Sequence, residues 1–427
     1  MILVVTLLAI VGLLVLGTPL IIAMAGGVAL YATLDGAWML QYPQQVTDGM
    51  GSFVLLAMPL FILAGVVMNA GGIADRVFAF ARSLFGPLPG GLAQVDVSTS
   101  LFFGGMVGTS VADLAGTGST LIPQMKKHGY PAPYAAAVTA SSSGIGPLIP
   151  PSSPMILYAA ATGTSLGTLF MAGIVPGIIL TVVLMVVVGV QAVRNGWGEK
   201  IAFSWAEVFR TLRSSILAFG VPVIILLGLT LGVFTPTESG AFAVAYAIAV
   251  SALAYRSLGL RKLYRCLVEA AVLTGEVMLI VGVSVALGAV LAMAGLPGVL
   301  TDFATSVVPG DAQLGYVVVL TLVAIVAGML FDPLIPVIMP VLLPTVLEVG
   351  IDPVHFGVII VLTVVIGQVT PPVAMSLVVA AKIAKVDAWR VLRANTPFLL
   401  ATIVVLVLVM LFPQLATWLP SILDDQP

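Results

Sequence analysis

The sequence predicts an all-α polytopic membrane protein built as an inverted repeat, each unit holding five spans and one re-entrant hairpin. Three observations carry that prediction. First, 60% of the 427 residues are hydrophobic and 8% charged, with a mean hydropathy of +1.20, outside the range of a soluble domain. Second, the stretch SSSGIGPLIPPSSP, residues 141–154, interrupts what hydropathy otherwise reads as one long membrane helix. Proline removes a backbone donor and its ring clashes with the preceding turn, so the helix must break there. Backbone freed at that depth is costly unless protein, water or an ion satisfies it, and such a break lines a cavity. Third, the pattern recurs in IGQVTPPVAMS, residues 366–376. Gly146 matches Gly367 and Pro150 matches Pro371 at the same offset of 221 (367 − 146 and 371 − 150), which also carries Pro123 onto Pro344 and Gly129 onto Gly350.

Composition excludes several classes of function. A formal net charge of −2 leaves no basic face for a nucleic acid. The single cysteine, Cys266, rules out a disulfide framework and any multi-cysteine metal site. His128 at a membrane edge and His355 at the start of a span read as interfacial residues rather than catalytic ones.

The first unit takes residues 1–210. Segments 2–17 and 19–34 are apolar and hinge at Gly17-Thr18-Pro19; no Lys or Arg precedes the first, which argues against a cleaved signal peptide. A loop from Asp35 to Ser52 leads to a span at 53–70 and an amphipathic segment from Ile73 to Leu84 with Arg76 and Arg82. Residues 92–125 are apolar but studded with glycine and small polar residues, and basic residues flank both ends. That places both ends on one side and predicts a re-entrant hairpin with its tip near Gly108 to Gly118. The broken span follows at about 132–163, a further span at 167–192, then a basic connector with an interfacial helix around Trp205.

The second unit, 211–427, repeats the plan. Spans at about 215–233 and 236–255 are joined by FTPTESG, where Thr235-Pro236 echoes Thr18-Pro19. A span at about 270–294 follows Arg256, Arg261, Lys262 and Arg265, and then comes an interfacial segment with Asp302 and Asp311. The second hairpin is expected at about 313–347, turning near GMLFDPLIP, the second broken span at 354–381, and the last span at about 396–418. Threading these segments with both termini outside places all 16 Lys and Arg residues in cytoplasmic segments. Five spans is an odd number, so the second unit lies inverted relative to the first, the plan of secondary transporters whose discontinuous helices meet near the midplane. Cysteines at Gln44 and Ala312 are therefore expected to label from outside intact cells, and one at Gly198 not to label; reaction at the inner position overturns the orientation.

FTPTESG at 234–240, SVADLAGTGS at 110–119, SGIGPLIPPS at 143–152 and IGQVTPPV at 366–373 together give the chain its resemblance. It resembles, over essentially its full length, the DctM-type large membrane subunit of tripartite ATP-independent periplasmic (TRAP) transporters. The resemblance implies sodium-driven uptake of a small organic acid, such as a C4-dicarboxylate or sialic acid, across the bacterial inner membrane. It implies a periplasmic solute-binding protein and a small DctQ-type membrane subunit as partners; the start of the first span at Met1 suggests that the latter is a separate chain. It also implies an elevator mechanism, with hairpins and broken helices moving against a scaffold embedded in the lipid bilayer.

A hard monovalent cation wants oxygen ligands, which broken helices supply as carbonyls and Ser and Thr as hydroxyls. Ser141, Ser142, Ser143, Gly146 and Pro150 fit one sodium site together with Gly108 and Ser110 of the first hairpin tip. By internal symmetry Gly328, Asp332, Gly367 and Thr370 fit a second. The alternative for the small residues is close helix packing. Asp113, Thr117, Ser119, Ser152, Glu238 and Pro371 are candidates for substrate contact or gating. An intramembrane carboxylate is functional by default, but Asp113 and Asp332 also suit helix capping, and Glu238 suits a helix start. No Lys or Arg falls within the predicted tips, so backbone amides and hydroxyls are left to hold a substrate carboxylate.

Two rivals remain. An intramembrane aspartyl protease works by paired carboxylates, yet VADLAG and LFDPLIP lack the Tyr-Asp and Gly-x-Gly-Asp patterns of that family. A stand-alone sodium- or proton-coupled anion carrier of related fold needs no binding protein. Neutral oxygen donors with one acid near each tip favour a cation over a proton relay.

Overall fold

The break residues divide the apolar sequence into helices of two lengths. The computed structural model of the protein describes residues 2–36, 41–198, 202–230, 232–308, 310, 312–330 and 334–424, and no strand occurs among them. Uninterrupted apolar runs give helices long enough to cross a membrane: Phe53–Ala70, Leu166–Asn195, Pro236–Ala254, Leu260–Met293 and Ala388–Leu411. Single prolines such as Pro176 and Pro397 are carried inside long helices, but where Gly and Pro cluster the apolar helices stay short. Thus Ile2–Val15 stops before Gly17-Thr18-Pro19 and Leu20–Asp35 resumes beyond it.

Each segment expected as a hairpin or a broken span contains two helices. The first hairpin consists of Gly91–Val107 and Ser110–Lys127, the second of Gln313–Leu330 and Leu334–Glu348. The first tip is tighter than the sequence suggested. Gly108 adopts φ 69°, which glycine enters at no steric cost, and Thr109 is extended, so residues 110–118 already belong to the second arm. The first broken span comprises Ala132–Ser142, a 3₁₀ turn at Ser143–Leu148 and Ser153–Thr162; the second comprises Pro353–Gln368 and Met375–Ala384.

Four other expectations need correction. The loop at 35–52 contains a helix, Gln41–Met50, which lies on Leu260–Met293 with Gly49 against Val285 and Gly282 against the Val46 carbonyl. Leu260–Met293 begins ten residues before the predicted span. Its 34 residues extend about 50 Å, so Arg261, Lys262 and Arg265 sit on helical turns beyond a hydrocarbon core of about 30 Å. The span expected at 215–233 is shorter, Gly220–Thr230, and turns by 62° from Trp205–Ser215, the helix expected around Trp205. The last span ends at Leu411, and Phe412-Pro413 separates it from Gln414–Asp424. Asp302 lies in the helix Leu296–Val307, and Asp311 lies outside the described residues.

The inner-side labelling probe also moves. Gly198 has φ 103°, and a Cβ there would stand 2.8 Å from the Tyr130 hydroxyl, so exposed Asn195 beside Arg194 replaces it.

Burial separates inner from outer elements. Pro353–Gln368 is buried all round from His355 to Gly367, and Ala132–Ser142 from Tyr134 to Ser142, as expected of helices enclosed by others. Outer helices instead expose apolar stripes, such as Leu314, Val318, Leu322 and Val326 on the second hairpin. The first hairpin differs. Its second arm exposes Ala115, Ser119, Thr120 and Pro123 and buries Leu114, Leu121, Ile122 and Met125. The amphipathic helix Ile73–Phe85 is tied down beside this hairpin. Ser215 donates to the Arg76 carbonyl at 2.7 Å, Ser83 and Thr211 hydroxyls lie 2.8 Å apart, and Arg76 stacks over Tyr255 at 3.6 Å.

Candidate functional site

The site is built where the first hairpin lies against the first break. A Cβ on Gly108 would stand 2.3 Å from the Pro151 carbonyl oxygen, and one on Gly104 would stand 2.9 Å from Gly146 Cα. Only bare backbone allows that approach. The Ser153 amide donates to the Gly108 carbonyl at 3.1 Å, joining tip to break. The chain then passes through a cis Pro150–Pro151 bond to Ser152, whose hydroxyl accepts from the Met155 amide at 3.3 Å and donates to the Pro147 carbonyl. Ser152 is thereby the N-cap of the second half-helix.

The three consecutive serines point in different directions, as neighbours about 100° apart on a helix must. Ser141 donates to Asn395 Oδ1 on the last span at 2.5 Å, Ser142 accepts from Ser100 of the hairpin at 3.3 Å, and Ser143 donates back to the Ala140 carbonyl at 2.9 Å. Only Ser142 is bonded to the hairpin. Gly108, Ser110, Gly146 and Pro150 are together at the tip and break.

Carboxylates and hydroxyls collect around this contact. Asp113 is 1% exposed and its carboxylate makes no close hydrogen bond, the Ser100 and Thr117 hydroxyls being the donors nearest to it. Thr117 donates instead to its own-helix Asp113 carbonyl at 2.8 Å. Ser110 Oγ is buried and unpartnered. Asp96 on the first arm is wholly buried; Thr139 lies 2.5 Å from its Oδ2, and its Oδ1 has no partner. An uncompensated buried carboxylate carries a large desolvation penalty, and oxygens that accept without donors are what a hard cation takes as ligands. No cluster of three His, Cys, Asp or Glu suited to a transition metal occurs among the described residues.

At the second break, a Cβ on Gly367 would stand 2.6 Å from the Gly328 carbonyl oxygen, so Gly328 and Gly367 are in direct contact. Thr370 donates to the Ile366 carbonyl at 2.6 Å, Gln368 Oε1 and Ser376 Oγ are buried without partners, and Pro371–Pro372 is cis. Asp332 lies outside the described residues. The first break meets the second broken span: a Cβ on Gly144 would stand 2.4 Å from Val365 Cγ1, in the last turn of Pro353–Gln368.

The remaining candidates lie elsewhere. Glu238 is exposed and closes a capping box, accepting from the Thr235 amide at 2.8 Å while its own amide donates to Thr235 Oγ1. That helix packs on Ala57–Ala70, with Gly240 against Leu60. Ser119 is exposed and donates to the Gly116 carbonyl. His355 donates Nε2–H to the Val409 carbonyl at 2.8 Å and acts as a core tie. Sequence reading passed over Asp96, Ser100, Thr139, Ser376 and Asn395. Asp96 was open to detection, because an acid inside an apolar hairpin is costly wherever it falls, but attention went to the tip.

An all-helical chain with five helices long and apolar enough to cross a membrane among the described residues is built as a polytopic membrane protein. The chain belongs to the family described as "Tripartite ATP-independent periplasmic transporter, DctM component", whose model matches residues 4–415. It is 36% identical to the sialic acid TRAP transporter large permease protein SiaM of Vibrio cholerae, over 89% of each chain. It is 35% identical to the 2,3-diketo-L-gulonate TRAP transporter large permease protein YiaN of Escherichia coli, over 91% of this chain and 92% of that one. It is 34% identical to the C4-dicarboxylate TRAP transporter large permease protein DctM of Pseudomonas aeruginosa, over 86% of each. In fold it is similar to the crystal structure of the Alcanivorax borkumensis YdaH transporter, with a TM-score of 0.57 at 14% identity over 89% of this chain and 88% of that one. Family membership makes it a multi-pass inner-membrane protein and the permease component of a transporter with more than one part.

Proposed function

We propose that the chain carries a small organic acid into the cell, driven by sodium, after delivery by a periplasmic solute-binding protein and beside a small membrane subunit. The observation that carries the coupling is the cluster of buried oxygens without a close hydrogen bond at Asp113 and Ser110, pressed against a broken helix. A cation supplies the positive charge these atoms lack, and a proton relay would need a longer chain of titratable groups. Ser142, Gly146, Gly108 and Pro150 surround the first sodium site in this reading. The relatives' names, sialic acid, diketogulonate and C4-dicarboxylate, share a carboxylate group, which supports an organic acid as cargo.

The chain works as two inverted units, 1–210 and 211–427, with both termini periplasmic, and moves by an elevator step. The meeting of Gly144 with Val365 supports this reading, because the two positions differ by 221 (365 − 144), the offset that relates the halves. A residue touches its own counterpart only beside a two-fold axis.

Uptake in liposomes tests the proposal. The chain alone is expected to transport nothing measurable, and the chain with its small subunit and liganded binding protein to transport only down a sodium gradient. Robust uptake by the purified chain, or uptake driven by a pH gradient without sodium, supports the stand-alone or proton-coupled carrier instead.

A further inference from the structure

Behind the tip of the first hairpin lies a cavity of about 90 Å³ that the coupling site does not include. It opens between the amphipathic helix and both hairpin arms, and its polar lining comes from Asn69, Asp75, Thr99, Thr117 and Thr120. Asp75 and Thr120 are exposed at its mouth. Thr99 is 1% exposed, and its hydroxyl oxygen has no partner, although it lines a space large enough for water.

Three features fix the chemistry of an occupant. The lining holds an acid, an amide and three hydroxyls but no Lys, Arg or His; the neighbouring Arg76 guanidinium is held by the Gly72 carbonyl and the Tyr255 ring, so Asp75 is the charge that lines the cavity. The apolar walls, Phe78, Phe103 and Leu121 among them, focus the field of Asp75 into the cavity. Asp113 itself is not in the lining; Thr117, one turn further along the same helix, borders both, lining the cavity while its hydroxyl donates to the Asp113 carbonyl and stands beside the Asp113 carboxylate. The exposed face of the second arm, Ala115, Ser119, Thr120 and Pro123, has no large apolar side chain to offer lipid and suits a wet surface.

We propose that this cavity is a cation antechamber, a resting site for a small monovalent cation between Asp113 and the aqueous phase beside Asp75. It rests on the sodium-coupled reading above and adds a route separate from that of the organic acid. Arg76 and Arg82 of the same amphipathic helix put its mouth on the cytoplasmic side under the orientation proposed, so sodium leaves through it after release from the hairpin.

Silver ion, a thiol-reactive monovalent cation near sodium in size, probes the space directly. In the assembled transporter carrying Cys266→Ser and Thr99→Cys, in nitrate salts, silver is expected to block the new thiol from later maleimide labelling. Sodium nitrate is expected to slow that reaction at least fivefold relative to N-methylglucamine nitrate, and adding Asp75→Asn to slow it severalfold. Thr120→Cys, at the exposed mouth, provides a second reporter should Thr99→Cys fail to fold, with the same sodium protection expected. A thiol that silver does not reach, or one whose reaction ignores both sodium and Asp75, overturns the antechamber. Sodium-dependent uptake with sodium-insensitive silver reaction overturns the route alone; uptake that ignores sodium overturns the coupling on which it rests.

Discussion

Replacing Asp113 with asparagine is expected to raise the sodium concentration that half-saturates uptake by about tenfold or more. The substitution keeps the shape and one oxygen but removes the charge from a carboxylate that is fully enclosed and makes no close hydrogen bond. Stability is expected to cross over with salt. Without sodium, the variant loses an uncompensated buried charge and melts at or above the temperature of the parent. With sodium at a hundred times its dissociation constant, the parent gains about 2.7 kcal/mol from binding, while the variant gains little. Thermal unfolding and uptake measured across a sodium series decide the matter. Identical sodium responses in the two proteins remove Asp113 from the site.

Gly108→Ala is expected to abolish uptake and to destabilise the first hairpin by about 2–4 kcal/mol, combining a left-handed backbone with a clash. The added methyl would stand 2.3 Å from the Pro151 carbonyl oxygen, and because that atom is backbone, neither partner has a rotamer to yield. The tip must then lift off the break and take Ser110 and Asp113 with it. Gly275→Ala, in the middle of Leu260–Met293 with nothing within 4 Å, is the control, expected to be neutral or stabilising by about 0.5–1 kcal/mol. Equal melting temperatures and equal uptake for both variants would show that the tip does not need its close seat.

The architecture was legible where proline and glycine act through the backbone. SGIGPLIPPS and IGQVTPPV announce breaks because a helix cannot pass through them, and the broken spans fall where those motifs lie. Helix limits set by packing were not legible. Gln41–Met50 reads as a polar loop, QYPQQVTDGM, until Leu260–Met293 supplies a surface on which its glycine fits. In the site, the nearness of Gly108 to the first break was readable from symmetry and small residues. The partners of the serines were not, because Ser141 meets Asn395 from 254 positions away and no local pattern marks that pairing. The acid of FTPTESG was open to both a gating and a helix-start role; Thr-x-x-Glu at a helix start is the signature of a cap, and that capping box is formed.

The meeting of Gly144 and Val365 bears on how such a chain arises. If the two halves descend from one ancestral segment that paired with an inverted copy of itself, a single residue type had to face itself across the axis. Two valines there would collide, since even one Cβ opposite Val365 comes within 2.4 Å, and two glycines would leave a void. Under that descent, duplication and fusion would free the position to differ between the halves, one side becoming small and the other large. The exchange Gly144→Val with Val365→Gly should therefore be tolerated far better than Gly144→Val alone, because it keeps one small and one large residue at the contact.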